Sequence, residues 1–337
     1  MTRLCAAIAL AVMSLGTMPG ATVSATYHGV RYLMGTWCDL TILDEPSEKA
    51  AGAAEAAFQE IARLERVMST WSPDSELSDV NGRAGMGPQA ISRDLAEVIG
   101  AALETCRASG GAFDPTVGPL LTLWRFNTER PIVPTSKALA DARTHVGCGK
   151  VSLRREPLTV QLPHGASLDL GGIGKGYAVD RALDVLRAFG VHRAKLDFGS
   201  SSLAFEGRVD GDWAVVLADP RDRERPLASF RVERGSVSSS GQYERSFVRN
   251  GRRFGHIFDP RTGRPVQSNL LLVTVIASDG VQADALSTAL FVLGAEQGVR
   301  LVSQLPDVGA IFVEAGSDGR VTLRTAGHVH QLMRLST

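Results

Sequence analysis

Asp284 and Thr288 stand one helical turn apart in Ala283-Asp284-Ala285-Leu286-Ser287-Thr288-Ala289-Leu290, so a helix there projects a carboxylate and a hydroxyl from one face. Oxygens of this kind suit magnesium, which keeps few protein ligands and takes its other positions from water and phosphate. The plainer reading is an aspartate at a helix start and a threonine bonded to its own helix.

A second candidate is Leu168-Asp169-Leu170-Gly171-Gly172-Ile173-Gly174-Lys175-Gly176-Tyr177-Ala178-Val179-Asp180, which reads as a strand end, a glycine-dense turn and a helix start. Such a turn lets a ligand approach the backbone, the open N–H groups of the helix favour an anion, and Lys175 adds a full positive charge. The spacing is neither G-x-G-x-x-G nor G-x-x-x-x-G-K-[ST], so by itself it does not separate phosphate binding from tight packing.

Histidine titrates near neutral pH, and His256, heading His256-Ile257-Phe258-Asp259-Pro260-Arg261-Thr262-Gly263, suits a general base or a structural position before a tight turn. Asp114 centres Gly110-Gly111-Ala112-Phe113-Asp114-Pro115-Thr116, which also reads as a structural turn with the acid bonded to backbone. The run Ser236-Val237-Ser238-Ser239-Ser240-Gly241 has no G-x-S-x-G elbow and reads as a solvated loop at a strand end, not as a nucleophile.

The elements that must position these residues are legible in the periodicity. A half-buried strand ends the segment Gly29 to Leu43, and a helix from about Ser47 buries Phe58, Ile61, Leu64 and Met68. A second helix from about Ser92 carries Leu95, Val98, Ile99, Ala102 and Cys106 to a stop at Gly110-Gly111. The region from Ala112 to Gly149 is less regular. Beyond it strands dominate at 158–162, 194–198, 213–218, 227–232, 270–277, 308–313 and 321–325, with helices at 175–189, 283–293 and about 295–304. The fold class is therefore α+β, with sheet and helices mixed throughout.

A chain of 337 residues, 44% of them hydrophobic, can bury a large core. Lys plus Arg and Asp plus Glu number 36 each, so no overall field holds nucleic acid or an anionic membrane, and any phosphate must be bound locally. Arg3, the apolar run Leu4 to Leu15 and the small residues ending Val23-Ser24-Ala25 have the layout of a cleavable secretory signal, residues 1–25, preceding a single domain at 26–337. The run is short for a membrane span and Cys5 is misplaced for a lipid anchor, so the expected product is a soluble, periplasmic protein with no direct transmembrane anchor. Cys38, Cys106 and Cys148 would remain, allowing at most one internal disulfide. Without C-x-x-C spacing, buried thiols are the expected state.

Taken together, the segments resemble the FAD:protein FMN transferase (ApbE) family. The resemblance runs in order through Met34-Gly35-Thr36, the stretch Met68 to Leu77 with Ser69-Thr70-Trp71-Ser72-Pro73, Gly111-Ala112-Phe113-Asp114, Asp169 to Gly176, Ser239-Ser240-Gly241, His256-Ile257 with Asp259-Pro260-Arg261-Thr262-Gly263, and Ala283-Asp284-Ala285-Leu286 with Thr288. It implies an ApbE-like fold with a T-fold-like core and FAD in a cleft lined by Met34, Trp71, Ala112, Phe113, Asp114, Asp169, Lys175 and Ile257. It implies magnesium on Asp284, Thr288 and the Gly172 carbonyl, and transfer of FMN from FAD to a threonine hydroxyl of a flavin-acceptor domain in a membrane-associated redox system. The chain departs from the family at Gly199-Ser200, where paired glycines are usual, and at Ser239-Ser240, where Thr-Ser is frequent.

Phosphoryl-type transfer needs charge neutralisation and in-line placement more than covalent help, which agrees with catalytic roles for Asp284 and Lys175. His256 or Asp259 is the expected acceptor of the threonine proton. Two alternatives remain: an FAD hydrolase yielding FMN and AMP, which needs the same metal and phosphate groups, and a non-catalytic FAD-binding protein. The carrier has no need of Asp284 and Thr288, which favours an enzyme.

Overall fold

Cys38, Leu40 and Ile42 alternate with Trp37, Asp39 and Thr41, so the strand Thr36–Leu43 turns one face into the core and the other away from it. In the computed structural model the described residues are 10–11, 25–43, 45–126, 128, 130–207, 213–242, 246–328 and 334–335. The strands β1 (Ala25–Leu33), β2 (Thr36–Leu43), β3 (Ala194–Phe198), β4 (Ser202–Glu206), β5 (Gly235–Gly241), β6 (Leu270–Ala277), β7 (Gly309–Ala315) and β8 (Val321–Gly327) form one eight-stranded sheet. Its spatial order follows the chain order, and every pairing is antiparallel.

Long helices cover one face: α1 (Ser47–Met68), α2 (Arg93–Ala108), α3 (Gly174–Ala188) and α4 (Gly280–Val302). Phe58, Ile61, Ile99, Ala178 and Leu183 pack with Leu40 and Leu196 of the sheet, while Leu290 and Phe291 of α4 pack with Val273, Val275 and Phe312. The opposite face is covered by the antiparallel pair Trp213–Asp219 and Asp222–Val232, whose Val215, Leu217 and Phe230 meet Phe205, Val237 and Ile276. Each such side chain contributes about 1.5–3 kcal/mol on burial, and emptying the Phe291 position would cost roughly 3–5 kcal/mol.

Helix ends follow the sequence. Ser92 caps α2 by accepting the Leu95 N–H, and Asp279 caps α4 by accepting the Gln282 N–H at 2.8 Å. Helix α4 breaks at Gly294 (φ 77°, ψ 168°), which reproduces the two helical segments read from its pattern. Among the described helices it alone is long and apolar enough to cross a membrane, and its apolar side chains are spent on the sheet beneath it. The irregular region contains short helices at Gly118–Trp124 and Ser136–Arg143 that the pattern did not mark.

Two expectations are corrected. Cys106 and Cys148 are not buried thiols but a disulfide joining the end of α2 to the segment at 148–150, while Cys38 is the buried thiol expected. The two cysteines are 42 positions apart, and no local spacing rule could pair them. The serine run is not a solvated loop: residues 235–241 are β5, buried along its whole length between β4 and β6. The expected signal segment lies outside the described residues except Leu10–Ala11, which pair with Leu217 and Val216, and Ala25.

Candidate active site

Helices α3 and α4 cross where neither has a side chain. A methyl group on Gly176 would stand 2.1 Å from the Gly280 carbonyl oxygen, and one on Gly280 would stand 2.5 Å from that of Gly176. With both positions bare, each helix opens onto a carboxylate of the other. The Gly176 N–H donates to Asp284 Oδ2 at 2.9 Å. In return the Gly280 and Val281 N–H groups donate to Asp180 at 2.6 and 2.9 Å. First-turn amides have no partner within their own helix, so these bonds answer a need of both. Tyr177 anchors α3 on its other side, its hydroxyl lying 2.9 Å from a carboxylate oxygen of both Asp94 and Glu97 of α2, between which it shares its one proton.

Asp284 is only 6% exposed. Burial pushes its carboxyl above the usual range, while the Lys175 charge and the Gly176 N–H pull it back. Lys175 is steered by Ser201, to whose Oγ its ammonium donates; Ser201 in turn donates to the Phe198 carbonyl at 3.1 Å. Thr288 Oγ1 lies 3.3 Å from Ser240 Oγ, and Ser240 Oγ lies 2.8 Å from Ser287 Oγ. A methyl group added to Gly172 would stand 3.3 Å from Thr288 Oγ1 and 3.1 Å from the Phe113 ring. The fold thus gathers Gly172, Lys175, Asp284 and Thr288 from segments far apart in the chain. Asp284 and Thr288 offer a buried carboxylate and a hydroxyl, hard oxygens beside the Gly172 backbone, and this donor chemistry fits a magnesium ion.

Of the other residues expected around FAD, Met34 meets Met68 at Gly174, each with an atom 3.7 Å from where a Gly174 side chain would begin. Asp169 accepts from the Gly171 N–H at 2.9 Å and from the Thr70 hydroxyl at 3.4 Å, tying the Ser69-Thr70-Trp71 turn to the glycine turn, and its enclosure raises its pKa. Trp71 is 66% exposed, with its backbone N–H donating to Ser69 Oγ. Ala112 and Ile257 pack with Leu286 of α4, and Phe113 borders Gly172, so an apolar wall adjoins the oxygen cluster.

Asp114 is placed differently. It is buried, with Oδ1 accepting the Thr116 N–H (2.8 Å) and hydroxyl (2.6 Å) and Oδ2 accepting the Cys148 N–H (2.9 Å). Its carboxylate ties the Asp114–Thr116 turn to Cys148, and the disulfide holds Cys148 to α2.

His256 lies between a small hairpin and the Phe258–Asp259 bridge, its ring centre 6.4 Å from that of Phe126, in an aromatic group with Trp124, Phe254 and Phe258. Asp259, the other candidate base, is committed to Arg261: the guanidinium donates to its two oxygens at 2.8 and 3.0 Å. At the first departure from the family pattern, Gly199 and Ser200 both take left-handed φ values, 60° and 57°. Gly199 leaves no room for a side chain, Thr36 Oγ1 being 2.2 Å from where a Cβ would sit. Ser200 adopts the glycine-like conformation with its N–H on Asp197 Oδ1 at 2.8 Å. Ser201, Ser287 and Asp180 went unmarked in the sequence; Asp180 closes the very stretch that carries Lys175, and only the partner helix reveals its use.

The profile of the ApbE family matches residues 34–312. A protein named FAD:protein FMN transferase from Treponema pallidum is 34% identical over 317 residues, spanning 89% of this chain and 87% of its own length. One of the same name from Klebsiella pneumoniae is 35% identical over 270 residues, spanning 79% and 83%. The crystal structure of the ApbE protein from Thermotoga maritima superposes with a TM-score of 0.81 at 30% identity, over 91% of this chain and 98% of that one.

Proposed function

This chain belongs to the ApbE family, and from that premise we propose that it transfers the FMN half of FAD to a threonine hydroxyl of an acceptor protein, releasing AMP. The observation that carries the reading is the meeting of Lys175 and Gly172 with Asp284 and Thr288 at the α3–α4 crossing. That cluster combines positive charge and hard oxygen donors beside the apolar wall of Ala112, Phe113 and Ile257.

In the proposed reaction the threonine oxygen forms a bond to the FMN phosphorus as the bond from that phosphorus to the AMP oxygen breaks. The threonine proton passes to a base, and AMP leaves with the electron pair. Asp284, Thr288 and the Gly172 carbonyl would hold magnesium, which supplies charge neutralisation on the pyrophosphate. Lys175, oriented by Ser201, shares the neutralisation of the leaving phosphate. Asp284 holds its carboxylate in place against the Gly176 amide. His256 is the proposed base, Asp259 being occupied by Arg261.

The acceptor is proposed to be a domain of a membrane-associated redox system on the periplasmic side, in keeping with the secretory layout of residues 1–25. The test is to incubate the protein with FAD, magnesium and a candidate acceptor domain, following AMP release together with acceptor mass and in-gel flavin fluorescence. Slow AMP release alone, a large increase with acceptor, and covalent FMN equal to the AMP formed are expected. Replacing the acceptor threonine with alanine should abolish the increase. Rapid AMP release that ignores the acceptor and leaves it unlabelled would make the protein a hydrolase, and tight FAD binding without AMP would make it a carrier.

A further inference from the structure

We propose that Asp180 is a positioning residue for the metal ligands: by accepting the Gly280 and Val281 amides it fixes the start of α4 against α3 and so sets where Asp284 and Thr288 stand. The inference rests on the magnesium reading of Asp284 and Thr288 given above.

Asp180 belongs to α3, beyond the turn that carries Lys175, and its carboxylate reaches across the crossing to another helix. The start of α4 has more open amides than its own cap can serve. Asp279 takes the Gln282 N–H, which leaves Gly280 and Val281, and Asp180 has one oxygen for each. Asp284 lies one turn further along α4 and bonds back to Gly176 of α3. The two contacts form a closed frame, with Asp180 and Gly176 on one helix and Gly280 and Asp284 on the other. Thr288 lies a further turn along the same rod. A tilt of α4 about the bare Gly176–Gly280 contact would swing Asp284 and Thr288 away from Gly172, and the Asp180 bonds oppose that tilt.

The cost of keeping a carboxylate here supports a role beyond capping. Burial is the main cause that pushes Asp180 up to about 7, nearby Asp279 and Asp184 add repulsion, and the two amide bonds only partly offset both. Stability alone would favour a neutral acceptor at this position. An asparagine, however, presents one acceptor oxygen where two amides wait.

The experiment compares wild type with Asp180→Asn. Magnesium is titrated calorimetrically into FAD-free protein, FAD affinity is measured by flavin fluorescence in chelator, and turnover is followed against magnesium concentration. The variant should bind magnesium roughly 10-fold or more weakly, the range for partners that orient metal ligands. FAD affinity in chelator should change less than about twofold, and turnover should recover at saturating magnesium. Equal magnesium affinity in variant and wild type overturns the inference while leaving the metal reading intact. If wild type itself binds no magnesium, the metal reading falls first. Should the variant not fold, hydrogen exchange on wild type carries the test. Magnesium should slow exchange of the Gly280 and Val281 amides, which touch no proposed metal ligand, and unchanged exchange there would sink the proposal.

Discussion

The Gly176 amide and the Asp284 carboxylate meet at 2.9 Å although 108 positions separate them in the chain. That bond turns a glycine-rich turn and an apolar helix, each with an innocent explanation alone, into one arrangement of charge and oxygen.

Asp284→Ala is expected to lower turnover roughly 100-fold or more, since it removes the only charged member of the proposed ligand set from a shielded cluster. The fold should survive, because no apolar core depends on the carboxylate, and FAD should still bind in chelator. Near-wild-type turnover in magnesium, after chelator treatment to strip adventitious ions, would refute the assignment.

Stability of the metal-free protein should carry a signature of Asp180. Its folded pKa stands at about 7, above the ordinary carboxylate value of 3.8, so the folded state holds a proton that the unfolded chain has already released. Its contribution is full below about pH 4 and is lost as pH rises through 7. Asp180→Asn cannot titrate. In paired denaturant melts the wild type should therefore lose stability relative to the variant between about pH 4 and 7, and parallel curves would contradict the shift.

His256→Gln should slow transfer roughly 100-fold or more while leaving FAD affinity within a few-fold, as expected for loss of a general base. A matching fall in FAD affinity would instead make His256 part of the wall formed with Phe126 and Phe258.

Replacing Cys106 and Cys148 together by serine should cost roughly 2–4 kcal/mol of stability, the usual worth of closing a loop of this size. Because the Cys148 N–H holds Asp114, FAD affinity should fall as well, though turnover at saturating FAD should be kept. An unchanged melting temperature in reductant would show the bridge to be idle.

Much of this was readable beforehand where the signal was local. The period of Phe58, Ile61, Leu64 and Met68 gave α1, the break at Gly294 divided α4, and the alternation ending at Ile42 gave β2. Asp284 and Thr288 were candidates because one helical turn sets their distance. What was lost depended on partners remote in sequence. The hydroxyls of β5 read as solvent-loving until β6 and α4 were laid beside them, with Ser239 on Thr274 and Ser240 on Ser287. Cys106 sat on the buried face of a helix and gave no hint of Cys148. For Asp114 the sequence offered a structural turn with the acid bonded to backbone, and the Thr116 and Cys148 N–H groups on its oxygens match that reading, though Cys148 as a partner was not legible.

The sheet runs β1 to β8 in chain order, so each strand finds its partner next along the chain, yet α3 enters between β2 and β3 and α4 between β6 and β7. The two halves of the active site can meet only after the strands between them have closed. A ligand that bridges them is thereby coupled to those strands. FAD and magnesium together should raise the melting temperature and deepen exchange protection in β3 to β6, the strands that lie between the two helices, because no sheet opened there retains the site to which they bind.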